Sequence, residues 1–85
     1  MKHIVYVIKN SEGKLYKGYT TDLNKRIQYH NQELGSWTRH RGPWQLVYQE
    51  SCNDKSEALK REKFLKSGKG REFLKEKLRG IAQPG

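Results

Sequence analysis

One cysteine in 85 residues leaves no internal disulfide, and there is no Cys-x-x-Cys pair to hold zinc. Long hydrophobic runs are also missing. No stretch approaches the roughly 20 apolar residues of a membrane-spanning helix, and the apolar part of "MKHIVYVIKN" is too short for a secretion signal. There is no internal repeat and no low-complexity tract. The expectation is a cytoplasmic protein with no membrane partner. The third shortage is of acid: nine Asp and Glu face eighteen Lys and Arg, a formal net charge of +9.

A field of that sign attracts polyanions and weakens as salt rises. Charge alone does not separate DNA, RNA and acidic membrane, and the alternative is a merely solvated lysine-rich surface. The chain lacks a long basic amphipathic segment with a Trp or Phe face, which counts against a membrane surface. Apolar residues make up 33% of the chain but cluster in periodic segments, the mark of a folded protein. At this length we expect one domain over 1–85, with its core at about 3–79 and residues 82–85 frayed.

Residues 3–9, "HIVYVIK", have the β-branched and aromatic composition of a strand. The loop "NSEGK", with Gly13 free to take positive φ, leads to "LYKGYT" and closes a β-hairpin. Alternation puts Ile4, Tyr6 and Ile8 on one face, and Tyr16, Gly18 and Thr20 on one face of the second strand. Gly18 has no side chain to pack, which suits a close backbone or ligand approach. Asp22 is a candidate N-cap and Gly35 a candidate C′ glycine. Between them Leu23, Ile27, His30 and Leu34 form one helical stripe bordered by Arg26. "GSWTRHRGPW" reads as a loop and "WQLVYQE" as a third strand. Asp54 and Glu57 resemble a capping box for a helix to about Ser67; "SGKG" breaks it, and "REFLKEKLRGI" makes a third helix. The fold class is α/β in the broad sense, α+β in detail: β-β-α-β-α-α, a small, mostly antiparallel three-stranded sheet covered by helices.

Certain residues break the packing pattern. Arg26 and His30 are expected to face the sheet, and Glu62 falls within the arc of Ala58, Leu59, Leu65 and Lys66 on the second helix. A carboxylate in an apolar stripe must be paired, protonated or metal-bound. One reading is structural: an Arg26–Glu62 bridge with His30 a satisfied core histidine. The other is chemical. Cutting a phosphodiester needs a cation on a carboxylate, a positive group for the phosphate and a base for water. Glu62, Arg26, and either His30 or a tyrosine (Tyr6 or Tyr16) fit that set. Cys52 reads as small filler, and Trp37 and Trp44 as packing residues. Arg39, His40, Arg41, Lys60, Lys63 and Lys69 either track a phosphate backbone or are solvated charge.

The ordered set of segments resembles the GIY-YIG nucleases, in particular small single-domain members related to the N-terminal domain of the excision-repair nuclease. The first triplet corresponds to the neighbourhood of Ile4-Val5-Tyr6 and the second to Tyr16-Lys17-Gly18, within a resemblance spanning about residues 3–75. "TTDLNKRIQYHN" is similar to the family's Arg/His helix, and "DKSEALKREKFLKSG" to its metal-carboxylate helix. The resemblance implies a divalent-metal-dependent endonuclease using Mg2+ or Mn2+, acting on nucleic acid, DNA ahead of RNA, as a monomer or weak dimer with a DNA-repair connection. It makes Tyr6 and Tyr16 the tyrosines that position or activate water, Arg26 the phosphate ligand, His30 an assistant to the base and Glu62 the metal ligand. Lys17, Arg39, Arg41, Lys66 and Lys69 are the expected nucleic-acid contacts. Two positions depart from the pattern. Ile4 stands where a glycine is expected, and no asparagine occurs near Leu74, which leaves that helper role to Lys66 or Ser67. The alternative is a non-catalytic nucleic-acid-binding module that keeps the fold.

Overall fold

A computed structural model describes residues 2–32, 35 and 38–79. Leu34, Trp37, Ile81 and the tail 82–85, all named above, lie outside the described residues. The order is β1 (His3–Lys9), β2 (Leu15–Thr20), α1 (Leu23–Asn31), β3 (Gln45–Cys52), α2 (Lys55–Lys66) and α3 (Gly68–Arg79), the expected β-β-α-β-α-α arrangement.

The three strands make one antiparallel sheet in the order β2-β1-β3. β1 is central because its residues are apolar on both faces: Ile4, Val5, Tyr6, Val7 and Ile8 are all buried. Cross-strand pairs Ile4–Thr20, Tyr6–Gly18 and Ile8–Tyr16 fix the hairpin register, and its loop is closed by Gly13 at φ 84°. Asn10, itself buried, accepts from the amides of Glu12 and Lys14 (3.0 and 2.8 Å) and donates to the Arg41 carbonyl at 2.9 Å. One side chain thus braces the hairpin turn and ties it to the loop before β3.

The alternation of β1 splits the core in two. Val5 and Val7 pack with Ala58 and Leu65 of α2 and Leu74 of α3, joined by Tyr48, Phe64 and Phe73. Tyr6 and Ile8 pack on the other face with Trp44, Tyr16, Leu23 and Ile27. So α1 covers one face of the sheet, and α2 and α3 the other.

Both expected N-caps hold: Asp22 accepts from Lys25 N at 3.1 Å and Asp54 from Glu57 N at 2.8 Å, each satisfying an amide that the first turn leaves open. Helix ends differ from expectation. α1 closes at Gln32, whose amide bonds the Gln28 carbonyl, and not at Gly35. The break between α2 and α3 is a single residue, Ser67. Its hydroxyl donates to the Phe64 carbonyl and accepts from Gly70 N, ending one helix and capping the next. The two glycines of "SGKG" belong to the first turn of α3.

Candidate active site

Gly18 determines how the site is built. It sits opposite Tyr6 in the register, and a Cβ placed on it would lie 2.5 Å from the Tyr6 hydroxyl and 2.7 Å from Cζ. The missing side chain therefore lets the Tyr6 ring lie across β2 toward the open edge of the sheet. There the hydroxyl meets His30 of α1, Oη to Nε2 at 2.7 Å. The other imidazole nitrogen, Nδ1, lies 2.8 Å from Thr38 Oγ1. Tyr6, His30 and Thr38 are 1%, 2% and 1% exposed, so this chain of hydrogen bonds is sealed from water.

The loop delivering Thr38 is held firmly. Trp44 Nε1 donates to the Thr38 carbonyl at 3.1 Å, and Asn31 clamps the Trp44 backbone, donating to its carbonyl and accepting from its amide. Sequence reasoning misses both Thr38 and Asn31. Neither carries a periodic signal, and a loop threonine in "SWTRH" looks like any other turn residue.

Electrostatics fixes the protonation states. Burial is the main reason the Tyr6 hydroxyl holds its proton far more tightly than a free tyrosine; Tyr16 and the Glu62 charge add to the effect and Arg26 opposes it. Burial, then the nearby Arg26, push His30 below its ordinary value. Both shifts widen the gap between the two groups. In the resting site the tyrosine is protonated and the imidazole neutral. When Tyr6 donates to Nε2, Nδ1–H donates to Thr38; in the opposite tautomer the Thr38 hydroxyl donates and Tyr6 accepts.

Around this buried chain stand the more accessible candidates. Tyr16, half-buried, tilts against His30 with ring centroids 4.9 Å apart. Tyr29 meets the same imidazole edge-on at 5.4 Å. Arg26 is exposed, a correction to the expected inward orientation. Its guanidinium lies over Tyr29, 5.3 Å from the ring centre, because the stripe that meets the sheet is Leu23, Ile27 and His30. A hollow of about 430 Å³ opens beside it, lined by Thr20, Thr21, Asp22, Lys25, Arg26 and Tyr29.

Glu62 reaches the site from the other side of the sheet. α2 packs on the Val5 and Val7 face, and Glu62 lies at the border of the buried stripe, not in its middle. The stripe is centred on Ala58 and Leu65 and runs on to Phe64, while Leu59 is 46% exposed. Even so the Glu62 charge is felt at the Tyr6 hydroxyl, since that ring lies across Gly18 to the sheet edge. Glu62 Oε2 accepts from Lys66 Nζ at 2.7 Å. Among the described residues no ion pair joins Glu62 to Arg26, so the structural-bridge reading fails. The partly buried bridge lies elsewhere: Arg61 grips Glu50 through Nε and Nη2, between α2 and β3.

The remaining expected positions are spread out. Lys17 is half-buried on the α2–α3 face next to Lys66 and Arg71; burial, then those two charges, hold it below the usual lysine value. Arg39 and Arg41 are exposed on the Thr38 loop, and Lys69 is exposed on α3. Leu74, near the expected asparagine, is fully buried core, and the Ser67 hydroxyl is committed to capping. Cys52 is half-buried in β3. Among the described residues no three of His, Cys, Asp and Glu gather into a metal cage, and no helix is long and apolar enough to cross a membrane.

Known proteins are similar to this chain in sequence and in fold. Residues 2–77 match the family described as the GIY-YIG catalytic domain. A UPF0213 protein of Staphylococcus saprophyticus is 48% identical over 75 residues, 87% of this chain and 92% of the relative. UPF0213 proteins of Staphylococcus aureus are 50% identical over 66 residues, 76% of this chain and 80% of theirs. The solution NMR structure of a UPF0213 protein from Bacillus halodurans superposes with a TM-score of 0.59 at 37% identity, covering 95% of this chain and 89% of that one. A second NMR structure, of a protein from E. faecalis, gives 0.58 at 27% identity over 100% and 96%. With a match over nearly the whole chain and relatives about half identical, this protein belongs to the GIY-YIG domain family, a nuclease-type domain.

Proposed function

We propose that this protein is a divalent-metal-dependent endonuclease that hydrolyses phosphodiester bonds, in DNA ahead of RNA. The observation that carries the reading is the sealed Tyr6–His30–Thr38 chain ending at a sheet edge where the charges of Arg26 and Glu62 both reach the Tyr6 hydroxyl.

Arg26, exposed at the mouth of the hollow, binds the scissile phosphate and stabilises the charge that grows on it. Tyr16, the more accessible of the two tyrosines, orients the attacking water. Tyr6 keeps its proton and, bonded to the neutral His30 behind it, forms the fixed wall against which Tyr16 is set. Glu62 would hold Mg2+ or Mn2+. The donor set fits, because Mg2+ takes one or two carboxylates and fills its remaining positions with water and phosphate oxygens. When bound, the cation supplies Lewis-acid polarisation of the phosphate. Lys66 must first release Oε2, and an exposed i,i+4 pair of this kind holds it by only about 0.3–0.5 kcal/mol.

That same pair favours the second reading, a non-catalytic nucleic-acid-binding module in which Lys66 neutralises Glu62 permanently. Incubating the protein with labelled branched, nicked, single-stranded and duplex DNA and RNA, with and without Mg2+ or Mn2+, separates the two. Metal-dependent cleavage of any of them supports the enzyme; binding with no cleavage under all conditions supports the module.

A further inference from the structure

On the face of the sheet away from α1, a groove of about 380 Å³ runs between the hairpin and α3. Its walls carry four cations, Lys9, Arg71, Lys75 and Arg79, with Leu15 and Leu78 as apolar floor and Gly13 at one end. Among the described residues no carboxylate lines it. Arg71, Lys75 and Arg79 recur every four residues, which puts them on one face of α3. Register places Lys9 beside Leu15 and Val7 beside Lys17, so all four side chains share this face.

We propose that this groove is a second nucleic-acid-binding site, which takes the sugar-phosphate backbone of the strand flanking the reaction centre after it turns round the β2 edge. The inference rests on nucleic acid being the ligand of the Tyr6–His30 centre. Lys17 and Lys66 form the link, since Lys66 holds Glu62 at the centre while Lys17 lies beside both Lys66 and Arg71. Leu15 is three residues along β2 from Gly18, about 10 Å at the rise of a strand, the helix-axis length of about three nucleotides of one duplex strand. A strand passing Gly18 thus reaches the groove within a few nucleotides. Among the described residues no ion pair joins Lys17, Arg71 or Lys75 to a carboxylate, while Glu76 tempers Arg79 alone. Crowded like charges raise the energy of the free protein, and a phosphate between them relieves that repulsion.

The test is the double variant Arg71→Gln/Lys75→Gln, with Lys60→Gln/Lys63→Gln on the exposed side of α2 as a control of equal charge change. Both altered groove residues are exposed, so folding is preserved. Binding of a fluorescein-labelled DNA duplex with an unpaired tail is followed by anisotropy across a salt series without metal, and cleavage is measured with Mg2+. The groove variant should lose roughly tenfold or more in affinity, and its salt slope should fall by about 1.5, close to 0.7–0.9 for each lost phosphate contact. Turnover at saturating substrate should not change, whereas KM should rise. The control should change little. Equal losses in the two variants, or a groove variant that binds like wild type, would overturn the groove while leaving the nuclease reading intact. A wild-type protein that binds no nucleic acid would remove both, and one that binds with the predicted slope change but never cuts would remove only the nuclease.

Discussion

Removing one oxygen at Tyr6 should affect stability and chemistry together. In Tyr6→Phe the ring still fills its place across Gly18, but His30 Nε2 loses the partner 2.7 Å away. Both residues are at most 2% exposed, so water does not replace the hydroxyl. A buried polar atom left unsatisfied costs about 1–3 kcal/mol. For a domain of this size each kcal/mol moves Tm by about 4–8 °C, which predicts a fall of roughly 5–20 °C. Urea melts should show a lower midpoint at unchanged slope, as expected when stability changes and compactness does not. Nuclease activity, measured where the variant is still folded, should fall as well, because His30 and the Tyr16 ring that leans on it lose their anchor. Thr38→Val attacks the other end of the chain and should give a similar stability loss, coupled to the first because both act through one imidazole. A Tyr6→Phe variant within about 0.5 kcal/mol of wild type, the ordinary range for a surface change, would refute the sealed hydrogen-bond chain.

Gly18→Ala should be worse than its size suggests: the new Cβ meets the Tyr6 ring at 2.5–3.0 Å, so Tyr6 must swing off His30, and a thermal melt should show destabilisation at least as large as that of Tyr6→Phe. Stability should also depend on pH through the same residues. His30 is held below its unfolded value, so the stability it confers is complete above about pH 6.5 and is lost as pH falls through the lower folded value. Urea midpoints should therefore drop on mild acidification, and a His30→Gln variant should lack that step. At the alkaline end Tyr48, pushed up to about 12 by burial and its bond to Glu50, and Tyr6, raised further, favour the folded state only below the unfolded tyrosine value of about 10. Stability should fall as pH rises beyond that point, and less steeply in Tyr6→Phe.

Sequence patterns reveal the skeleton of this protein because alternation and capping are local. The hairpin, the shared face of Tyr6 and Gly18, and the caps at Asp22 and Asp54 all depend on neighbours within a few residues. The central place of β1 follows from its five successive apolar residues, a run that only a strand covered on both sides uses; alternation alone does not show it. Thr38 is not legible. It reaches His30 through a loop held by Asn31 and Trp44, and no periodicity reports such a contact. Arg26 and Glu62 show the limits of the helical wheel. A wheel locates the apolar stripe to within about one residue's arc, and both residues lie on its edge, where one turns to solvent and the other toward Lys66. α3 begins earlier than its composition suggests because Ser67 caps it strongly enough to carry two glycines in the first turn.

The most direct test of the central claim is Glu62→Gln, with Mg2+-dependent cleavage, metal-free DNA affinity and thermal stability measured on the same preparation. The substitution keeps the volume and removes the charge that would bind the cation. Among the described residues Glu62 pairs with Lys66, an exposed partner, so stability should change by about 0.5 kcal/mol or less. Affinity without metal should hold or rise slightly, because a negative charge near the phosphates is gone. Cleavage should fall by orders of magnitude, since the metal stabilises charge that develops only in the transition state. A variant that cuts as fast as wild type at the same Mg2+ concentration would contradict the account.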